Sequence, residues 1–420
     1  MKSEDPLESW LGGEDREGAW SGEGRSAEIS TRLDELERLL DNPPAPPRKP
    51  DFYTAGIGAY SYMPPIPLLP NDLPRAQALY RRLATSKGSG KNRTQEGLLH
   101  LIGSNAEPSA LPFWLEMVEL APPRDQFAGR RKTYALAAIA FIAIKHDLPA
   151  AYDALISLTR HRDPAIRPQA VLYLGDAYLD AERPIPDPVA AHLYDVATTD
   201  AGFLPRYDAR RVLRATGREV PLDNPDGTYT FKVYPTWVRG VSRTMELRSY
   251  HTLGDLHLTI QRAFQWDDDH LYSFYLNGVV HDPRYEVPHP ALLDGDGGFP
   301  FIALPIELAG DLETADDDVK QLLVSLGVLP RSAAPGGAEA DGDAEEADKE
   351  PLMSVNAVIG ELGLVPGHAF LYLFDFGDDN VFWVTVEGVK DKAGRGAYPR
   401  VVDKQGKAPP QYEYWEEEEE

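Results

Sequence analysis

Thr252–Phe274 reads TLGDLHLTIQRAFQWDDDHLYSF, and its hydrophobic period changes partway along. Leu253, Leu256, Ile260, Phe264 and Trp266 recur close to 3.6-residue spacing, which predicts a helix with one apolar face. From His270 to Phe274 apolar and polar residues alternate instead, which predicts a strand. Helix, tight turn and strand are therefore expected in that order. Upstream, Tyr229–Val233 alternates like a strand and Thr244–Ser249 is a second candidate. Downstream, Ala369–Phe376 and Val381–Val386 read as two strands of a hairpin turned at Gly377-Asp378-Asp379-Asn380. Short helices are expected at Asp316–Leu326 and Met353–Leu362. Strands and helices segregated in this way imply an α+β domain over 226–414. An acidic low-complexity insertion over 331–350, with seven acids against two basic residues, is expected to be disordered, as is an acidic tail at 415–420.

Ahead of Pro221 the pattern is helical. Residues 1–70 are expected to be largely disordered, apart from an amphipathic helix over 26–42 and the stiff linker Pro43-Pro44-Ala45-Pro46-Pro47. Over 71–218 there are eight helical patterns: Arg75–Ala84, Glu96–Ile102, Ala110–Leu120, Ala128–Lys145, Ala150–Thr159, Ile166–Leu179, Pro188–Thr198 and Tyr207–Thr216. A weak repeat runs through them, an arginine followed three or four residues later by alanine, at Arg131, Arg167 and Arg206. The spacings are 36 (131 to 167) and 39 (167 to 206) residues. That period resembles two-helix HEAT-type repeats, so an all-α repeat domain is expected ahead of the α+β domain.

Length and composition set the limits. At 420 residues the chain exceeds one core and implies two folded domains. Its 67 acidic residues against 42 basic ones give a formal charge of −25, which repels phosphate backbones and disfavours a dedicated nucleic-acid binder. With no cysteine, thiol catalysis and cysteine zinc sites are excluded. The acidic start MKSEDPLESWLGG is unlike a signal peptide, and the longest apolar run, Ala135–Ile144, is too short to span a bilayer. A cytoplasmic protein with no membrane association is the expectation.

Two catalytic look-alikes fail on mechanics. Lys145, His161-Arg162-Asp163 and Asp375-Phe376-Gly377 stand in kinase order, but the lysine ends a helical run and Pro168 occupies the place of the metal-binding asparagine. Gly88-Ser89-Gly90-Lys91 lacks the first phosphate-loop glycine, because position 85 is Thr85.

With YTFKVYPTWVR (Tyr229–Arg239) before it and FLYLFDFGDD (Phe370–Asp379) after it, the Thr252–Phe274 stretch resembles the plasmid pRiA4b ORF-3-like family, found in plasmid and transposon contexts. That resemblance spans Tyr229 to Tyr414 and implies an α+β domain without an established activity. Family members usually carry Trp and His where this chain has Asn380 and Phe382. The polar residues of the resembling stretch, His257, His270, Asp375 and Asp378, are candidates for a hard-metal or acid–base site. A histidine bonded to a carboxylate inside the fold is the commoner use of such residues, so no catalytic residue, metal site or cofactor is expected. The favoured role is a non-enzymatic interaction or scaffold protein with a protein partner. A metal-dependent hydrolase or nuclease using the His/Asp cluster is the first alternative. The second is nucleic-acid binding through a basic face made of Arg130, Arg131, Arg167, Arg206 and Arg210, flanked by Lys132 and Arg211.

Overall fold

A computed structural model describes residues 22–45, 49–52, 68–122, 125–181, 183–289, 292 and 355–412. The expected disorder at 1–21, 331–350 and 415–420 and the expected helix at Asp316–Leu326 lie outside these residues. The chain is a helical unit followed by an α+β unit, divided between Val196 and Ala197.

The first unit holds α1 (Gly22–Asp41), α2 (Asp72–Thr85), α3 (Lys91–Gly103), α4 (Leu111–Glu119), α5 (Ala128–His146), α6 (Pro149–Leu158), α7 (Ile166–Leu179) and most of α8 (Asp187–Thr199). Each buries an apolar stripe. In α1 it is Ile29, Leu33 and Leu36, and in α5 it is Leu136, Ile139, Ile142 and the alanines between them. Alanine-rich α5 packs against α3, α4, α6 and α7, because small side chains let neighbouring helices approach closely. Leu111 with Pro112 opens α4, where the absent N–H of proline costs nothing.

In the second unit, α9 (Phe203–Ala215) precedes β1 (Thr228–Pro235), β2 (Ser242–Arg248), α10 (Leu253–Phe264), β3 (Tyr272–Tyr275), β4 (Glu286–Pro288), β5 (Ala369–Phe374), β6 (Asn380–Lys390) and β7 (Arg400–Gln405). The strands form one sheet of order β4-β3-β5-β6-β1-β2-β7 with every neighbouring pair antiparallel. Alternation sets its two faces. Tyr229, Phe231 and Val233 of β1, Phe370, Tyr372 and Phe374 of β5, and Phe382, Val384 and Val386 of β6 point into one core. There they join Leu253, Leu256, Ile260 and Phe264 of α10.

Three sequence expectations are corrected. The helix Tyr207–Thr216 was assigned to the helical domain, yet α9 packs with the sheet: Phe203 and Tyr207 lie in its core, and the Tyr285 hydroxyl donates to buried Asp208 at 3.1 Å. Of the expected helix Met353–Leu362, the described part holds only a 3-10 turn, Ile359–Glu361. Its backbone pairs outward, through Ile359 N–H to His251 O (2.8 Å), Gly360 N–H to Ser249 O (2.8 Å) and Leu253 N–H to Ala357 O (3.1 Å), so it cannot pair with itself as a helix. β4 and β7 were not expected. β4 is three residues ending in proline, and β7 is a solvent-facing edge strand with no apolar alternation.

Candidate functional site

The polar motif is organised by the start of α10. Thr252 Oγ1 accepts from the Asp255 N–H at 3.1 Å while the Asp255 carboxylate accepts from the Thr252 N–H at 2.9 Å, a reciprocal cap that fixes the helix register. One turn apart on the inward side, His257 and Gln261 then meet the sheet, as helical spacing requires. The Gln261 side-chain amide donates to the Tyr372 hydroxyl at 2.8 Å, Tyr372 lies 2.8 Å from His257 Nδ1, and His257 Nε2 lies 2.8 Å from Asp268. One directional arrangement satisfies all three contacts: Gln261 donates to Tyr372, Tyr372 to Nδ1, and Nε2–H to Asp268. The imidazole is also stacked on Tyr272, 3.6 Å between ring centres.

Burial sets the electrostatics of this relay. Only 2% of the His257 side chain is exposed, and desolvation outweighs the attraction of Asp268, pushing its pKa down to about 4. Tyr372 is fully buried and its phenol is pushed well above the ordinary value. Asp268 is half-exposed, so the relay touches solvent only at its acidic end. A buried neutral imidazole with both nitrogens occupied has no lone pair left for a metal or a substrate proton.

His270 belongs to a separate cluster, although both imidazoles pack around Phe374. Its Nε2 is 3.5 Å from Asp375, 3.8 Å from Asp269 and 3.1 Å from the Tyr412 hydroxyl, which donates to Asp269. That donation lowers the Asp269 pKa and raises that of Tyr412 to about 12. The Gln411 side chain closes the cluster from the C-terminal segment, donating to Asp269 at 2.7 Å and accepting from the Asp267 N–H at 2.6 Å. Asp375 sits in the left-handed region at φ 60°, its carboxylate accepting from Gly377 N–H at 2.9 Å, a geometry aspartate tolerates in turns. Asp378 is exposed on the same turn. The four candidates thus divide: His257 with Asp268, His270 with Asp375, and Asp378 in solvent. Among the described residues no group of three or more His, Asp or Glu side chains is placed to hold a metal ion. Tyr372, Gln411 and Tyr412 were not singled out by sequence reasoning, since each lies more than a hundred residues from its partner.

The proposed basic face does not form from the named arginines. Arg131 and Arg210 have fully buried side chains and Arg206 is nearly buried. They serve a shared local purpose, binding carbonyls at the end of the preceding helix. Arg131 donates to Met117 O (3.2 Å) and Leu120 O (2.5 Å) after α4, Arg206 to Thr198 O and Arg210 to Ala197 O at the end of α8. Arg167 similarly reaches His161 O beyond α6, at 3.4 Å. A cation at a helix C-terminus satisfies orphan carbonyls and meets the negative end of the dipole. Acids complete the pairs, Asp125 for Arg131 and Asp223 for both Arg206 and Arg210. Arg130 is exposed but paired with Glu96, Lys132 is paired with Asp163, and Arg211 lies 3.8 Å from Asp208.

With the α10–β3 unit, the Phe370–Asp379 strand and turn, and the closing Gln411-Tyr412 segment assembled on one sheet, residues 235–412 match the family described as Plasmid pRiA4b ORF-3-like protein. Residues 235–412 are a plasmid pRiA4b ORF-3-like domain. A crystal structure of a protein of unknown function from Methanosarcina mazei Go1 is similar at 19% identity, covering 44% of this chain and 73% of that one, with a TM-score of 0.26. No curated protein matches the chain. In this pRiA4b ORF-3-like domain Phe382 is fully buried against Phe264, Trp266 and Trp237. No helix among the described residues is long and apolar enough to cross a membrane.

Proposed function

We propose that this is a non-enzymatic interaction protein, in which a HEAT-like helical unit offers a protein-binding surface and the pRiA4b ORF-3-like domain acts as a recognition or scaffold module. The observation that carries the reading is the closure of His257: both ring nitrogens are occupied, and its tyrosine partner is sealed from solvent. A reaction centre needs at least one such group free to meet substrate.

The first unit supports the same reading through the sequence separation of its cross-helix contacts. Arg130 meets Glu96 across 34 residues, Tyr134 meets His100 across 34, Arg81 meets Glu116 across 35, Thr133 meets Gln169 across 36 and Thr159 meets His192 across 33. Helix-pair repeats stacked at a fixed period produce such recurring separations, and their exposed surfaces bind proteins. The runner-up is metal-dependent hydrolysis at His270 and Asp375. Dialysis against Mg²⁺, Mn²⁺ and Zn²⁺, followed by metal analysis and a phosphodiester hydrolysis assay, separates the two. The interaction reading expects no stoichiometric metal and no turnover. Bound metal and activity that both vanish in His270→Ala, at an unchanged melting temperature, would establish the hydrolase instead.

A further inference from the structure

On the sheet face turned away from the core, a groove of about 480 Å³ opens beside the β1–β2 connection. Its lining includes Lys232, Tyr234, Thr236, Arg239, Trp383 and Gln405. The size falls within the usual range for ligand sites. Tyr234 and Trp383 are register partners on β1 and β6, two inner strands, so both side chains project from this face, where the Trp383 ring also packs against the Tyr275, Leu371 and Leu373 cluster. Lys232 projects from the same face two residues along β1, held only by an exposed contact of 3.6 Å to Glu387. Arg239 is exposed on the connecting loop and has no ion pair among the described residues. Gly240 lets that loop turn at φ +76°.

We infer that this groove binds single-stranded nucleic acid, with bases stacked on Tyr234 and Trp383 and phosphates met by Lys232 and Arg239. An open sheet face that carries adjacent aromatic rings flanked by cations is a recurring platform for single strands, because every base offers a π face and every linkage a negative charge. The chain's net charge of −25 does not oppose this locally. The described residues of the second unit hold 17 Lys and Arg against 19 Asp and Glu, a balance of −2 (17 minus 19), and the excess acid of that unit lies in sequence positions 293–354 and 413–420, which hold 21 acids against 3 basic residues. From Lys390 to Lys407 there are six basic residues and two acids, with Lys390 and Arg400 both paired to Glu246 of β2. An acidic polypeptide is the competing occupant; flat aromatic rings favour bases over carboxylates, which have no π face to stack.

The test uses the full chain and fluorescence anisotropy with labelled oligothymidine and oligouridine, starting at about 50 mM salt, where phosphate contacts are strongest. The expected result is saturable binding that weakens as salt rises. Lys232→Ala with Arg239→Ala should weaken it by about tenfold or more and flatten the salt dependence. Trp383→Leu should weaken it by about tenfold while Trp383→Phe, which keeps a π face, retains most of it. Melting curves of all variants check that the fold is kept. Absence of binding by the wild-type protein, binding unchanged in the folded variants, or displacement by polyglutamate more readily than by unlabelled oligonucleotide would each overturn the assignment.

Discussion

His257 is held neutral by its surroundings, and that has a pH consequence. Its folded-state pKa of about 4 lies below the unfolded value near 6.5, so its contribution to stability is complete above about pH 6.5 and is lost as pH falls toward 4. His368 behaves in the same direction. Burial lowers its pKa to about 4 while it bonds Leu276 O at 2.8 Å and stacks on Phe203. Unfolding of the second unit should therefore become easier between pH 6.5 and 4. Nitrogen-detected NMR should find His257 uncharged at pH 5.5 with its proton on Nε2; an ordinary titration near pH 6.5 would refute the closed relay. At the exposed cluster, Asp375→Asn keeps the turn conformation and the Gly377 contact, so it should cost at most about 1 kcal/mol in a denaturation measurement. The helix that carries His257 was legible from its apolar spacing. The partner of that histidine, Tyr372, was not, because a strand pattern reveals which side chains face inward but not which residue of a distant helix they meet.

Among the elements, long amphipathic helices and inner strands were readable because a buried face imposes a period on the sequence. α7 and the strands of the motif appear where periodicity places them. Elements stabilised by other means were not readable, as β7 and the turn at Ile359–Glu361 demonstrate. The reciprocal cap of α10 gives a specific expectation: Thr252→Ala removes one half of it and should lower stability by about 1 kcal/mol in urea unfolding. Adjacent arginines on α5 should behave in opposite ways. Arg131→Ala leaves Asp125 and the α4 carbonyls without their buried cation and should cost about 3–5 kcal/mol. Arg130 is 68% exposed in its pair with Glu96, so Arg130→Ala should fall within about 0.5 kcal/mol of wild type. Equal losses at the two positions would contradict the capping role. The arginine repeat was thus visible in sequence, whereas its direction, inward to carbonyls rather than outward to phosphate, depends on packing that spacing does not encode.

At the scale of the whole chain, the change from helical to alternating pattern identified two units. Their division at Val196 was not evident, since α9 has the same helical pattern as its predecessors and differs only in what it packs against. Net charge was equally uninformative about place: the described residues around the sheet are near-neutral, although the full span of the second unit holds 20 basic residues against 40 acids. The groove beside the β1–β2 connection draws on β1, β2, β6, β7 and one loop, which no local motif could connect. What unites these observations is that His257 and His270 of the pRiA4b ORF-3-like domain each meet polar partners from distant parts of the chain. The most direct measurement is a double-mutant cycle on the full chain, using equilibrium unfolding of wild type, His257→Ala, Tyr372→Phe and the double variant at pH 7. If the relay holds the fold together, each single change costs about 1–3 kcal/mol and the pair shows a coupling of at least about 0.5 kcal/mol. Single changes that leave stability untouched, with additive effects in the double variant, would contradict it.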